Sequence, residues 1–443
     1  MNKKELMNLL NEKQYKQLHI QLNEMNVVDI ATLFTDLSEE QRMILFRVLE
    51  KSKAAEVFSY LDNDLRKELI SSFSDQQINT LLNEMYTDDA VDFLSELPAN
   101  LVTQLLENLD FATRHQINQL LKYPNDSAGS IMTMEFIELH PNMNVAQALD
   151  KIRHVGIDSE TVYICYVVEK HKLLGIVSAK SLMIHDPDTS ISDLMITHYI
   201  SIHTMDDKEV AAKLFRKYGL IAIPVVDSEG CIVGIVTFDD AIDVLTQETT
   251  EDMHRMAAMS ENDEPYLKTS VWNHAKHRIL WLLILMLSAT ITGTIITQYE
   301  NAFQAVPLLV SFIPMLMDTG GNCGTQSSTL VIRALAIDEL HFKDIFKVLW
   351  KEFRVALLVS SALAFVNGVR IYLMYQDLQL AIVIAISLIA TIIISKLVGC
   401  CLPIFASKLK MDPAIMAAPL ITTIVDTCSI IIYFNIATII FRL

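Results

Sequence analysis

From His277 onward, apolar residues arrive in five long runs, at about 279–297, 305–336, 355–375, 378–405 and 414–441. Each is long enough to cross a hydrocarbon layer as a helix, which takes about 20 residues. Upstream the pattern changes. Residues 1–130 are helical in period, without apolar–polar alternation, and they repeat. Leu33-Phe34…Leu37, Val57-Phe58…Leu61 and Leu81-Leu82…Met85 recur every 24 residues, with half-steps of 12 at Phe93-Leu94…Leu97 and Leu105-Leu106…Leu109. Short helical repeats of this kind stack into a superhelix. A second repeat fills 131–248. Ile131-Met132-Thr133 matches Leu194-Met195-Ile196, Val167-Val168 matches Val225-Val226, and Gly175-Ile176-Val177 matches Gly234-Ile235-Val236. Each copy reads helix, strand, strand, helix, with β-branched residues in the strands. A polar, acidic, helix-prone connector, 249–276, joins this part to the first apolar run. The pattern predicts a multidomain membrane protein: an α-helical superhelical N-domain, an α/β tandem repeat, a connecting helix, and a five-helix α transmembrane domain over 277–443.

Asp426 lies midway along the last apolar run. An ionisable group at that depth is costly and normally faces a bundle interior or a water-filled path. Pro419, Thr422, Thr423, Asp426 and Ser429 recur at helical spacing, whereas Ile421, Ile424 and Ile431 fall largely elsewhere. That arrangement reads as a pore wall bearing a cation-attracting carboxylate. The second run holds Pro307, Pro314 and the stretch from Asp318 to Gln326, which includes Gly320, Gly321, Asn322 and Gly324. The first expectation is a helix broken at the glycines, with freed carbonyls and Asn322 lining an ion path. The alternative is tight helix packing at the same glycines. Arg370 near a helix end reads as snorkelling; Lys396 is ambiguous. The loops near 298–304 and 376–379 carry no Lys or Arg, whereas the other two carry Lys343, Lys347, Lys351, Arg354, Lys408 and Lys410. Positive loops stay cytoplasmic, so the N-terminal part is expected inside a plasma membrane and the C-terminus outside.

Charge divides along the same line. From His277 onward there are eleven Lys/Arg and nine Asp/Glu, leaving 24 basic against 44 acidic residues before it. That excess suits a module that binds cations and argues against nucleic acid. Asp88 and Asp92 share a helix face beside Asp89, although in isolation a solvated acidic face is the better explanation of such a pattern. The six Cys show no zinc-type spacing, and residues 1–10 have no secretory leader pattern. A metalloprotease would need a ligand set such as H-E-x-x-H, and ATP hydrolysis a G-x-x-x-x-G-K-[ST] loop; neither is found, so no enzyme is expected.

The 131–248 repeat resembles a tandem CBS pair. Its Gly234-Ile235-Val236-Thr237-Phe238-Asp239-Asp240 stretch resembles the ribose-binding signature of nucleotide-binding CBS modules. That assigns Thr237 and Asp240 to ATP or another adenine nucleotide; a purely structural Asp is the other reading. Together with Tyr123-Pro124-Asn125-Asp126-Ser127-Ala128-Gly129, Thr249-Thr250-Glu251-Asp252-Met253-His254, Gly320 to Ser327 and Asp412-Pro413-Ala414…Pro419…Thr423…Asp426, the chain resembles the MgtE magnesium channel/transporter family over essentially its whole length. The resemblance implies a homodimer with one pore, in which Asp426 of both subunits holds a hydrated Mg²⁺ and Asp412 lies near the cytoplasmic mouth. It further implies that cytosolic Mg²⁺ closes the pore by binding among Asp88, Asp92, Asp227, Glu229, Asp239, Glu251, Asp252, Glu261 and Asp263. The chain departs from the family pattern at Ala418, and at Ser429 where Gly is usual. Mn²⁺ or Co²⁺ as additional cargo, and a non-conducting Mg²⁺ sensor, are the rival readings.

Overall fold

The computed structural model describes residues 7–10, 12–107, 109–260, 266–299, 304, 306–416 and 418–442. The chain divides into two compact units, Met1–Leu245 and Thr246–Leu443.

Among the described residues, the helices of the first unit include nine short ones in succession: α1 Tyr15–Glu24, α2 Val27–Phe34, α3 Glu39–Val48, α4 Lys51–Ser59, α5 Asn63–Ser72, α6 Asp75–Glu84, α7 Thr87–Ser95, α8 Ala99–Glu107 and α9 Phe111–Leu120. Helices of this length are marginal alone and persist through caps and packing. Asn26 and Asp110 cap backbone N–H groups, and Ser38 with Gln41 forms a capping box. The 12-residue half-step turns out to be a ring ladder. Phe46 lies edge-on between Phe34 and Phe58, at 6.4 and 6.3 Å, and Phe58 meets Phe93 at 5.1 Å. Phe34, Phe58 and Phe93 are fully buried, so the repeat supplies the core.

The tandem repeat follows as β1 Glu138–Leu139, α10 Val145–Val155, β2 Ile164–Glu169, β3 Lys172–Ser178, α11 Ala179–Ile184, α12 Ile191–Leu194, β4 Ile202–His203, α13 Lys208–Tyr218, β5 Ala222–Val226, β6 Ile232–Thr237 and α14 Phe238–Met256. Each copy has a three-stranded sheet with one parallel and one antiparallel pair. The register is irregular at Val167/Val168 and again at Val225/Val226, the positions matched in sequence. The matched glycines have a steric reason. A Cβ on Gly175 would lie 2.8 Å from the Ile196 carbonyl oxygen, and one on Gly234 would lie 2.7 Å from that of Thr133. Each copy therefore packs its glycine against the linker segment of the other. A short leading strand in each copy extends the four-element order expected from sequence.

Among the described residues the second unit holds five long helices: α15 Val271–Gln298, α16 Ile313–Ala336, α17 Ile345–Tyr375, α18 Leu378–Lys408 and α19 Ala418–Phe441. Four segments, Val271–Gln298, Phe342–Tyr375, Leu378–Lys408 and Pro413–Phe441, are long and apolar enough to cross a membrane. α16 is long enough but more polar. The expected break in it is absent: the helix runs without interruption through Gly320, Gly321 and Gly324, after a 3₁₀ turn at Pro307–Phe312. These glycines serve contact instead of unwinding. Cβ atoms there would press on Thr391, Val425, Thr422 and Ile421, and one on Gly399 of α18 would overlap the Gly324 backbone. Small residues at such crossings let helix backbones approach closely.

Candidate ion path and acidic cluster

α16 is held between two helices. On one side α18 places Gly399 and Ser395 against Gly324, and on the other α19 places Ile421, Thr422, Val425 and Ser429 against Gly320 to Gly324. Ser429 faces Gly320 and returns its own hydroxyl to the Val425 carbonyl at 2.6 Å. Thr422 and Thr423 likewise donate to the Pro419 carbonyl, at 2.9 and 3.0 Å. Asp426 lies half-buried on this helix, and among the described residues it makes no salt bridge or hydrogen bond. Asp318 of α16 is near enough to act on it electrostatically. Asn322 and Asp318 are exposed on α16. Sequence reasoning quoted Asp318 within its motif without giving it a role; its place in an apolar run was a signal for a functional carboxylate, but not for which partner it acts on.

Lys396 is resolved as a buried charge, 5% exposed. Its ammonium donates to Ser327 Oγ at 3.2 Å and stands 3.8 Å from Glu352, while Ser327 Oγ donates to Glu352 Oε2 at 2.7 Å. Three helices, α16, α17 and α18, are tied by this one network. A charge at membrane depth is tolerable only when paired in this way.

Asp412 precedes a 3₁₀ turn, Pro413–Met416, that leads into α19. Its Oδ1 accepts from Ala414 N at 2.7 Å, and its Oδ2 is ion-paired with Arg255 of α14, which also pairs with Glu251. Asp252, on the same helix, is half-buried. Glu261 and Asp263 lie outside the described residues.

In the first unit, α7 and α14 bring carboxylates together. Burial pushes Asp88 well up from its ordinary value, and Asp240, Asp89 and Glu160 add to it. Asp89 is raised by burial against the opposing pull of Ser59 and Arg66. Asp92 has an open surface, but packing around its carboxyl and then Asp89 push it to about 6. Asp240 is pushed to about 7 by burial, with Asp239 and Asp89 contributing, while the Thr237 hydroxyl, 2.5 Å from Asp240 Oδ2, holds it down. Glu160, which sequence reasoning missed, is pushed to about 8 by burial and then by Asp239 and Asp240. Its Oε2 is buried and has no hydrogen-bond partner among the described residues. The spacing between 88, 160 and 240 hides this gathering, which depends on the tertiary fold. Asp227 and Glu229 are placed elsewhere, in the β5–β6 turn, where Asp227 Oδ1 accepts from Glu229 N and Cys231 N at 2.9 Å. Among the described residues no cluster of three or more His, Cys, Asp or Glu forms a ready-made metal cage. The gathered carboxylates are a concentrated negative surface whose mutual repulsion protons or cations relieve.

Three family models match the chain: a divalent cation transporter domain over residues 313–436, an MgtE intracellular N domain over 25–126, and CBS domains over 128–187 and 191–247. A magnesium transporter MgtE of Thermus thermophilus is 35% identical, the match covering 98% of this chain and 97% of that one. The magnesium transporter MgtE of Bacillus subtilis is 32% identical, over 97% and 95% of the two chains. Among solved structures, the cytosolic domain of the Mg²⁺ channel MgtE in complex with ATP is 33% identical, with a TM-score of 0.52 over 55% of this chain and all of that one. The soluble part of a magnesium transporter is 31% identical, with a TM-score of 0.54 over 56% and 97% of the two chains.

Proposed function

The chain belongs to the MgtE family of magnesium transporters, and from that premise we propose that it is a Mg²⁺ channel gated closed by cytosolic Mg²⁺. Transport, not catalysis, is the family's activity, and Mg²⁺ is its cargo. The observation that carries the pore reading is Asp426, a carboxylate without hydrogen-bond or ion-pair partner among the described residues, on an apolar helix that packs against Gly320, Gly321 and Gly324. Mg²⁺ dehydrates reluctantly, keeps several waters and needs only one or two carboxylates. One Asp426 from each subunit of a homodimer meets that requirement at long range, through water. Asp318 adds negative potential beside it, and Asn322 offers a neutral amide to the ion's hydration shell. Asp412 marks the cytoplasmic mouth, with the C-terminus on the opposite face.

The gate reading rests on the acidic cluster. With its carboxylates ionised, Asp88, Asp89, Asp92, Glu160, Asp239 and Asp240 repel one another. Bound Mg²⁺ draws the helical repeat and the CBS pair together, and its loss releases them, biasing a two-state element. Asp227, Glu229 and Asp252, with Glu261 and Asp263, are assigned to the same regulatory role. Thr237 and Asp240 are also the residues proposed for an adenine nucleotide, a reading favoured by the ATP complex of a similar cytosolic domain. Asp240 would then be shared between nucleotide and cation, so that each ligand alters the affinity for the other.

The test of the pore is Asp426→Ala in cells lacking other Mg²⁺ uptake. We expect the variant to fold and insert but fail to restore growth at low Mg²⁺. Undiminished uptake at equal expression would reject the pore assignment.

A further inference from the structure

We propose that Glu251 and Asp412 form a cation site whose resident occupant is the chain's own guanidinium, that of Arg255. Both carboxylates were assigned to Mg²⁺ from sequence, yet an internal cation sits between them. Arg255 lies four residues after Glu251, on the same face of α14, and its two terminal nitrogens divide between Glu251 Oε1 and Asp412 Oδ2. The other oxygen of Asp412 is taken by Ala414 N at 2.7 Å. In this arrangement Asp412 has both oxygens engaged. Next along α14, Met256 packs against Ile332 of α16 and Ala414 of the turn that leads into α19. Charge and apolar contact therefore coincide on the segment that begins the Asp426 helix.

The chemistry follows from the donor. Two carboxylates brought together need a positive charge between them. A guanidinium supplies it permanently, because it does not deprotonate, and its planar fork suits two acceptors at once. Covalent attachment keeps its local concentration high whatever the ionic composition. Mg²⁺ would have to displace the guanidinium to reach these oxygens. This contact therefore holds α14 to the pore segment without reporting the Mg²⁺ level, and sensing is left to the other regulatory carboxylates. The inference rests on the Mg²⁺-gated reading above.

The test compares wild type, Arg255→Gln and Arg255→Lys in liposomes, reading Mg²⁺ flux against cytoplasmic-side Mg²⁺, and equilibrium Mn²⁺ binding to the purified full chain. Loss of the charge-assisted contacts in Arg255→Gln should raise the half-closing Mg²⁺ concentration roughly tenfold. The two bared carboxylates should also take up about one additional Mn²⁺ per chain. Arg255→Lys, which keeps the charge without the fork, should close nearer the wild-type concentration and bind no additional Mn²⁺. An unchanged or lowered half-closing concentration in Arg255→Gln would overturn the proposal, as would unchanged Mn²⁺ binding. If wild type itself ignores Mg²⁺, the gating reading fails, and the Mn²⁺ count still decides whether Arg255 fills a cation site.

Discussion

Gly399→Ala is a one-methyl change that the structure gives no room to absorb. A Cβ at this position overlaps the Gly324 carbonyl oxygen and lies 2.9 and 3.0 Å from its carbonyl carbon and Cα. Ordinary contact begins at 3.4 Å, so α18 and α16 would have to part by at least about half an ångström, and by more at the oxygen. The obstructing atoms are backbone and cannot rotate aside. Nor can α16 retreat, because a Cβ at Gly324 would already lie 2.7 Å from Ile421 of α19. Overpacking costs about 1–3 kcal/mol, and a backbone clash belongs at the upper end. For a domain of this size each kcal/mol lowers Tm by about 2–4 °C, so a fall of roughly 6–12 °C is expected. Because α16 is wedged against the Asp426 helix, Mg²⁺ flux should fall as well. Thermal unfolding of the purified protein and liposome flux measure the two effects. Gly293→Ala is the control: nothing lies within 4 Å of its Cβ, so helix propensity alone should leave it neutral or slightly stabilised. Wild-type Tm and flux in Gly399→Ala would refute the close-packed account of the glycines.

Lys396→Met strands Glu352 in the helix bundle and should cost about 3–5 kcal/mol, whereas Lys396→Met with Glu352→Gln should recover most of the stability; equal losses in both would mean that the pair is not coupled. The acidic cluster predicts a pH dependence of defined sign. The pKa values of Asp88, Asp89, Asp92, Glu160 and Asp240 are raised on folding, so the folded state binds protons more tightly than the unfolded chain. The cluster therefore costs nothing below the ordinary carboxylate range near 4 and destabilises progressively up to about 8, the value of Glu160. In chelator, the first unfolding step should move to lower temperature from about pH 5 to about pH 8, and added Mg²⁺ should reverse most of that loss; stability that rises over this window would contradict the cluster.

The repeats were legible because one residue class recurs at fixed spacing. Phe34 and Phe58 announce a ladder whose middle rung, Phe46, stands in the same setting, Leu45-Phe46…Leu49, at the 12-residue half-step. The CBS pair was legible down to its paired glycines, since each meets the equivalent backbone of the other copy. The run containing Gly320, Gly321 and Gly324 misled the first expectation, because the same glycines that permit a break also permit contact, and only the facing Gly399 decides between them. Glu160 and Asp318 were hidden for another reason. Their partners are distant in sequence: nothing local distinguishes Glu160 from a solvated acid, and for Asp318 the one local signal, its place in an apolar run, names no partner. Arg255 drew no reading from the sequence, because its partner Asp412 lies 157 residues away.

The central claim is a Mg²⁺ path closed by Mg²⁺ at the acidic cluster, and flux into liposomes against cytoplasmic-side Mg²⁺ tests it most directly, with Asp88→Ala/Asp92→Ala run beside wild type. The account predicts that wild-type flux shuts off as that Mg²⁺ rises while the double variant keeps conducting. Wild-type flux that ignores cytoplasmic Mg²⁺, or a folded wild-type protein that carries no Mg²⁺ at all, would contradict it.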